Sequence, residues 1–255
     1  MKQFAAELEN NIHIYRRYPL TLVSNFILLV IMFWGIFLGG MLVGNSILGS
    51  NSLTSLVIGY SLWVLIMTTI SNMGQTIFSE AENGTIEQLF LVPKGASKLF
   101  FIKEIVNLII SFAYSTIVLI LLMLTTNRWI KFPLTVILPY FLALISLMGV
   151  GYVVLAITLR YKRIGSTLEV GQYIYLGLIL FDFYNGDVWL REIGNTIPLY
   201  PMIYWIKEIV NGEVKDQMNL ISISIINAFV WLLLGIVIFK LTVRKIKQDG
   251  TLNKF

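Results

Sequence analysis

An all-α integral membrane protein with six transmembrane helices is the fold class this sequence predicts, and three observations lead there. The 255 residues are 57% hydrophobic and only 13% charged, whereas soluble domains carry about a quarter of their residues as charges. The apolar residues gather into long blocks; Leu53 to Phe78 and Ile105 to Thr125 contain no Asp, Glu, Lys, Arg or His at all. The basic residues, finally, fall overwhelmingly in every second connection between those blocks, as they do in multi-pass proteins.

A helix needs roughly 20 mostly apolar residues to cross the hydrocarbon. Six blocks qualify, at about 20–44, 53–78, 105–125, 133–159, 164–183 and 219–241. The fifth is the least regular, because Glu169 interrupts its start. No stretch reads as a separate soluble unit, so residues 1–255 are expected to form one membrane domain. Ahead of the first span, residues 1–19 carry Glu7 and Glu9 and no apolar core, which speaks against a cleaved leader. Phe4, Leu8, Ile12 and Tyr15 recur at helical spacing there, predicting an amphipathic helix along the membrane surface, and Pro19 turns the chain inward.

Orientation follows from Lys and Arg. With six spans both termini share a side, and that side receives Lys2, Arg16 and Arg17, then Lys94, Lys98 and Lys103, then Arg160, Lys162 and Arg163. Lys240, Arg244, Lys245, Lys247 and Lys254 complete fourteen of the nineteen basic residues. The positive-inside bias predicts cytoplasmic termini in a cytoplasmic membrane. The net charge of +5 thus belongs to topology and anionic lipid headgroups; no basic patch interleaved with aromatics points to nucleic acid.

Two connections stand out. Residues 80–95, EAENGTIEQLFLVPKG, form a charged insert on the cytoplasmic side. Glu82 and Glu87 fall on one face of a predicted short helix, Ile86, Leu89 and Phe90 on the other, and Pro93 stops it. The outer segment, 184–218, contains IPLYPMIYWIKEIV, too apolar for a free loop and too short to span. It predicts a re-entrant or interfacial helix broken at its start by Pro198 and Pro201, with Tyr200, Tyr204 and Trp205 suited to the headgroup level.

Within the spans, Gly35 with Gly39 and Gly40 with Gly44 are small-xxx-small pairs that favour close helix packing, inside the subunit or across a dimer. On the second span Ser61, Thr68, Asn72, Gln75 and Ser79 form one polar stripe. Amides facing lipid would be unsatisfied, so the stripe faces either neighbouring helices or the wall of an aqueous cavity. Tyr173 and Tyr175 on the fifth span offer aromatic surface to an amphiphile or simply pack.

Catalytic sets are missing. His13 is the only histidine and there is no cysteine, so His-pair metal sites, Ser-His and Cys-His nucleophiles cannot be assembled. Asp182, Asp187 and Glu192 read as solvated outer-loop charges. The chain also lacks G-x-x-x-x-G-K-[ST], the phosphate-binding loop; Gly95-Ala-Ser-Lys98 does not supply it. No cofactor is expected on this chain, and any ATP and Mg²⁺ belong to a partner.

The stretch GTIEQLFLVPKGASKLFFIKEI, Gly84 to Ile105, resembles the segment after the second span in permeases of the type-2 ABC exporter family. Glu82, Gly84, Thr85, Glu87, Gln88, Leu89 and Pro93 carry the likeness, and the six-span layout and outer IPLYPMIYWIKEIVNG extend it over the whole chain. The resemblance implies a permease pairing with a second permease subunit, expected as a homodimer, and with two copies of a cytoplasmic ABC ATPase. It implies a coupling helix made by Glu82, Gly84, Thr85, Ile86, Glu87, Leu89 and Phe90, a connecting helix at the N-terminus, and a translocation path lined by the second and fifth spans. An amphiphilic drug, an antimicrobial peptide or a lipid-linked molecule fits the mixed lining of Ser61, Thr68, Asn72, Gln75, Tyr173 and Tyr175. An ion-coupled secondary transporter and a non-transporting membrane subunit are the alternatives.

Overall fold

The computed structural model describes residues 2–43, 52–82, 96–161, 164–212 and 217–249. Among them the secondary structure is helical, without strands. In chain order the helices are α1 (Lys2–Arg17), α2 (Pro19–Val43), α3 (Ser52–Glu82), α4 (Ala96–Thr126), α5 (Ile137–Tyr161, entered through a 3₁₀ turn Leu134–Val136), α6 (Gly165–Leu180), α7 (Val188–Thr196), α8 (Tyr200–Asn211) and α9 (Gln217–Asp249).

Five of these helices, α2, α3, α4, α5 and α9, contain a stretch long and apolar enough to cross a membrane. The fifth predicted span differs. α6 has 16 residues, about 24 Å of rise against roughly 30 Å of hydrocarbon, and it stops where Phe181 turns extended (ψ 136°). Asp182 then holds the turn, its carboxylate accepting from the Asn185 amide N–H (3.2 Å) and side chain (2.6 Å). Conversely, α4 begins nine residues before the uncharged run and α9 continues eight beyond 241. Helical hydrogen bonding does not need the bilayer, so polar ends extend the helices past it.

Burial separates centre from periphery. In the spanning stretch of α3, 67% of the residues are buried, against 17% in α2. A helix apolar on every side is suited to the middle of a bundle, and α3 meets α4, α5, α6 and α8 with Trp63, Val64 and Leu65 wholly enclosed. α2 leans on it at one point, where the Tyr60 hydroxyl donates to the Leu29 carbonyl (2.8 Å) beside the Phe33 ring.

The tightest crossing joins α5 to α9. A Cβ on Gly149 would lie 2.2 Å from the Trp231 carbonyl oxygen, and one on Gly235 would lie 2.1 Å from the Gly149 oxygen. Here glycine is required because backbone meets backbone. The glycine pairs singled out from sequence behave differently. Gly35 and Gly39 have nothing within 4 Å of a built Cβ, and Gly44 lies outside the described residues. Among the described residues Gly35 and Gly39 leave an open face on α2.

The outer segment folds as two helices rather than one. α7 was not foreseen; α8 matches the apolar core of the predicted element and closes on Gly212, whose φ of +74° is the left-handed C-cap. Two of its rings are buried within the bundle. Tyr200 and Trp205 are 3% and 1% exposed, because α8 inserts against α3, α5 and α9. In α1 the packed positions are Phe4, Glu7, Leu8, Asn11 and Tyr15, while Ile12 is exposed; polar Glu7 and Asn11 occupy the stripe through the contacts given below.

Candidate translocation and transmission sites

Polar contacts gather on α3 at three levels. Where α3 meets α6, the Trp63 indole donates to the Gln172 carbonyl (2.8 Å), and the Gln172 amide donates to the Ser71 hydroxyl (2.9 Å). Gly74 lets the helices close, since a Cβ there would stand 2.6 Å from Leu168 Cδ1. Around these bonds lies a cavity of about 470 Å³ lined by Ser71, Gln75, Thr158, Thr167, Glu169 and Gln172 among others. Ser71 and Gln75 are exposed, as are Val170, Tyr173 and Ile174 farther along α6. An exposed amide at membrane depth demands water or protein opposite it, so this face is suited to water or a protein neighbour rather than to lipid.

At the end of α3 that leads into residues 83–95, Lys103 of α4 ties three helices together. Its ammonium lies 3.3 Å from Glu7 Oε1 of α1 and 3.1 Å from Glu80 Oε1 of α3. Asn11 braces the same turn by donating to the Glu7 carbonyl (2.9 Å). Higher on α1, the Tyr15 hydroxyl and the Asn72 side chain share a hydrogen bond; burial pushes the Tyr15 phenol up, and that bond opposes the shift. The stretch 83–95 is thus bracketed on both sides by helices that α1 touches.

At the opposite end, side chains from α8 and α9 cap the backbone of α6 and α7. Lys207 donates to the Ile179 carbonyl (3.2 Å), Asn227 to the Asn195 and Ile197 carbonyls (2.8 and 3.0 Å), and Trp231 to Thr196 (3.0 Å). These carbonyls are the orphans of helix ends, costly to leave bare in an apolar setting. Tyr200 bridges further, donating to Phe181 (2.8 Å) and accepting from the Phe183 N–H (3.1 Å). Burial raises the Tyr204 phenol to about 12 and pulls the Lys207 ammonium down to about 8, with Asp182 acting the other way.

The residues of the predicted path scatter among these levels. Gln75 lines the α3–α6 cavity, and Tyr173 is exposed beside it with its ring 6.1 Å from Trp63. Asn72 faces Tyr15. The Thr68 hydroxyl bonds back to the Val64 carbonyl at 2.8 Å. Ser61 opens instead into an apolar cavity between α3, α4, α5 and α8, and the Tyr175 hydroxyl donates to the Pro198 carbonyl of the outer segment. The predicted docking residues Gly84, Thr85, Ile86, Glu87, Leu89 and Phe90 lie outside the described residues, and the Glu82 side chain with them.

One group escaped the sequence reading. Glu104, on the doorstep of the uncharged run, is 0% exposed, and neither carboxyl oxygen has a hydrogen-bond partner among the described residues. Gly151 makes its room: a Cβ there would sit 1.9 Å from Glu104 Oε1. The signal was present as a second polar stripe, Glu104, Asn107, Ser111 and Ser115, at helical spacing and buried throughout.

With this geometry in view, the profile of the ABC-2 family transporter protein matches residues 15–180. The chain belongs to that family. It is a multi-pass membrane permease of an ABC transporter, a transport subunit and not a catalytic enzyme, and the family implies association with an ABC ATPase. No curated protein matches the chain. The matched stretch runs from Tyr15 at the end of α1 through α6. It therefore takes in the permease's α3–α6 cavity, the Lys103 contacts with Glu80, and the connection 83–95.

Proposed function

We propose that this permease exports an amphiphilic or lipid-like molecule, such as a drug, an antimicrobial peptide or a lipid-linked compound, across the cytoplasmic membrane by alternating access. The observation that carries the reading is the α3–α6 face, where the amides of Gln75 and Gln172 and the Ser71 hydroxyl lie beside exposed Tyr173, Val170 and Ile174. That mixture suits a molecule with polar and apolar parts, and the open Gln75 amide suits a face completed by a second, identical permease subunit. The termini lie in the cytoplasm, α6 with its flanking residues completes a sixth crossing, and two ATPase copies dock on residues 80–95.

In this scheme Ile86, Leu89 and Phe90 anchor the ATPase, and Glu82 and Glu87 pair with its basic groups. Closure of the ATPase around ATP pushes 80–95, and the thrust passes directly into α3 and α4 and, through Glu80–Lys103–Glu7, into α1. Work is done only because the ATP-bound partner favours one permease state over the other. The test is ATP hydrolysis by the reconstituted complex, screened with drugs, cationic peptides and lipid-linked molecules. Stimulation by one class is expected, and Gln75→Leu should reduce it while leaving basal hydrolysis intact. Leu89→Asp or Glu87→Arg should uncouple hydrolysis from transport in a folded subunit. Stimulation and transport that survive all three changes would refute the assignment.

A further inference from the structure

The cavity that receives Ser61 is a different place from the α3–α6 face. It has a volume of about 520 Å³ and is enclosed by Ile58 and Leu62 of α3, Leu119 of α4, Tyr140 and Leu144 of α5 and Ile206 of α8. On its rim Leu134, Ile137 and Phe141 are 83%, 63% and 60% exposed, so it opens sideways, toward the hydrocarbon.

Its few hydroxyls are already engaged. Ser61 donates to the Ile58 carbonyl (2.8 Å) and Thr116 to Phe112 (2.8 Å). Ser115 and Tyr140 bond to each other. A buried water needs two to four polar partners, and here the hydroxyl protons are already used and the rest of the lining is almost wholly apolar, while an empty void of such size would forfeit dispersion contacts along every wall. The lining suits hydrocarbon better than water.

The mouth supplies the other half of the ligand. The α4–α5 connection carries Arg128 and Lys131, both exposed, directly before the lining residues Phe132 and Pro133. Trp129 between them is 68% exposed, as a ring at headgroup level would be. From Asn127 to Tyr161 there is no acidic residue, so these two cations meet no local counter-charge from their own segment. A phosphate at the surface next to an apolar slot is the chemistry of an anionic phospholipid.

We propose that this cavity is a resident-lipid site: one acyl chain of an anionic bilayer phospholipid lies between α3, α4, α5 and α8, with its phosphate at Arg128 and Lys131. The lipid wedges the end of the bundle that holds α8, and the site is separate from the proposed transport path.

The test uses the full chain in phosphatidylcholine nanodiscs with a trace of phospholipid carrying a photoreactive diazirine on one acyl chain, as phosphatidylglycerol or as phosphatidylcholine. Mass spectrometry of the irradiated protein then maps the adducts. With the phosphatidylglycerol probe, adducts are expected at Leu62 and Leu144, enclosed positions, at least threefold above those with phosphatidylcholine. Arg128→Gln with Lys131→Gln should erase that excess. Leu119→Trp, or Thr116→Phe if the first misfolds, should remove the enclosed adducts and leave those at exposed Leu20 and Leu42 of α2, with an unchanged thermal unfolding curve showing that the fold is intact. Adducts confined to exposed faces, or equal labelling of Leu62 by both probes, would overturn the proposal.

Discussion

Replacing Gly149 by alanine places one methyl group at the backbone-to-backbone crossing of α5 and α9. The added Cβ would lie 2.2 Å from the Trp231 carbonyl oxygen, 2.4 Å from its carbon and 2.6 Å from the Leu232 nitrogen. Comfortable carbon contacts begin near 3.5 Å, so α5 and α9 must part by roughly 1.3 Å. All three obstacles are backbone, and no rotamer change relieves them. Overpacking of this kind costs about 1–3 kcal/mol, and the better helix propensity of alanine returns at most about 1 kcal/mol. A net loss of about 1–2 kcal/mol lowers the melting point by roughly 2–8 °C for a chain of this size. Gly35→Ala is the matched control, because nothing lies within 4 Å of that position; it should melt at or slightly above the parent. Thermal unfolding of the purified chain in nanodiscs, followed by tryptophan fluorescence, reads both. If Gly149→Ala melts with the parent and Gly35→Ala melts early, the assignment of the packing glycines is wrong.

Other outcomes follow from the same geometry. Lys103→Gln breaks the links to Glu7 and Glu80, whose side chains are 27% and 20% exposed against 15% for Lys103 itself; stability should fall by about 1–3 kcal/mol, transport per ATP hydrolysed should fall as well, and unchanged coupling would remove Lys103 from the transmission route. Glu104→Met is close in shape and deletes a buried carboxyl that has no hydrogen-bond partner among the described residues, so the melting point should hold or rise; a large drop would mean the carboxyl has a structural partner. Lys207, held at about 8 in the folded chain, would sit near 10.4 when unfolded. Between those values the unfolded chain binds the extra proton, so stability should rise with pH across that window, and Lys207→Met should flatten the rise in melting curves taken from pH 7.5 to 10.

Much of the architecture was legible in the residues because hydrophobic length and charge placement act locally. The blocks at 20–44, 53–78, 105–125, 133–159 and 219–241 each correspond to a helix capable of crossing, and the amphipathic start and the outer apolar helix formed where their patterns said. The fifth block was overdrawn, since hydropathy does not register the Asp182–Asn185 turn that ends α6 early. The burial of Tyr200 and Trp205 on α8 was not legible for a related reason. Tyr and Trp are at home both in a headgroup layer and in a core, and composition alone does not distinguish the two.

The candidate site divided along the same line. A stripe of polar residues on α3 was visible at helical spacing, but spacing describes one helix and is silent about its neighbours. The neighbours change along its length: Ser61 meets an apolar cavity, Asn72 meets Tyr15, and Gln75 meets α6. Likewise, every glycine looks alike in a sequence. By itself the sequence determined a helical multi-pass membrane protein with a charged connection at 80–95, because partition into a bilayer is a sum over residues. Only the tertiary structure decided that Gly149 and Gly235 make the close crossing, that Glu104 lies beside Gly151, and that Lys103 joins α1, α3 and α4. Those are pairwise distances between segments far apart in the chain, and no local property of either partner encodes them.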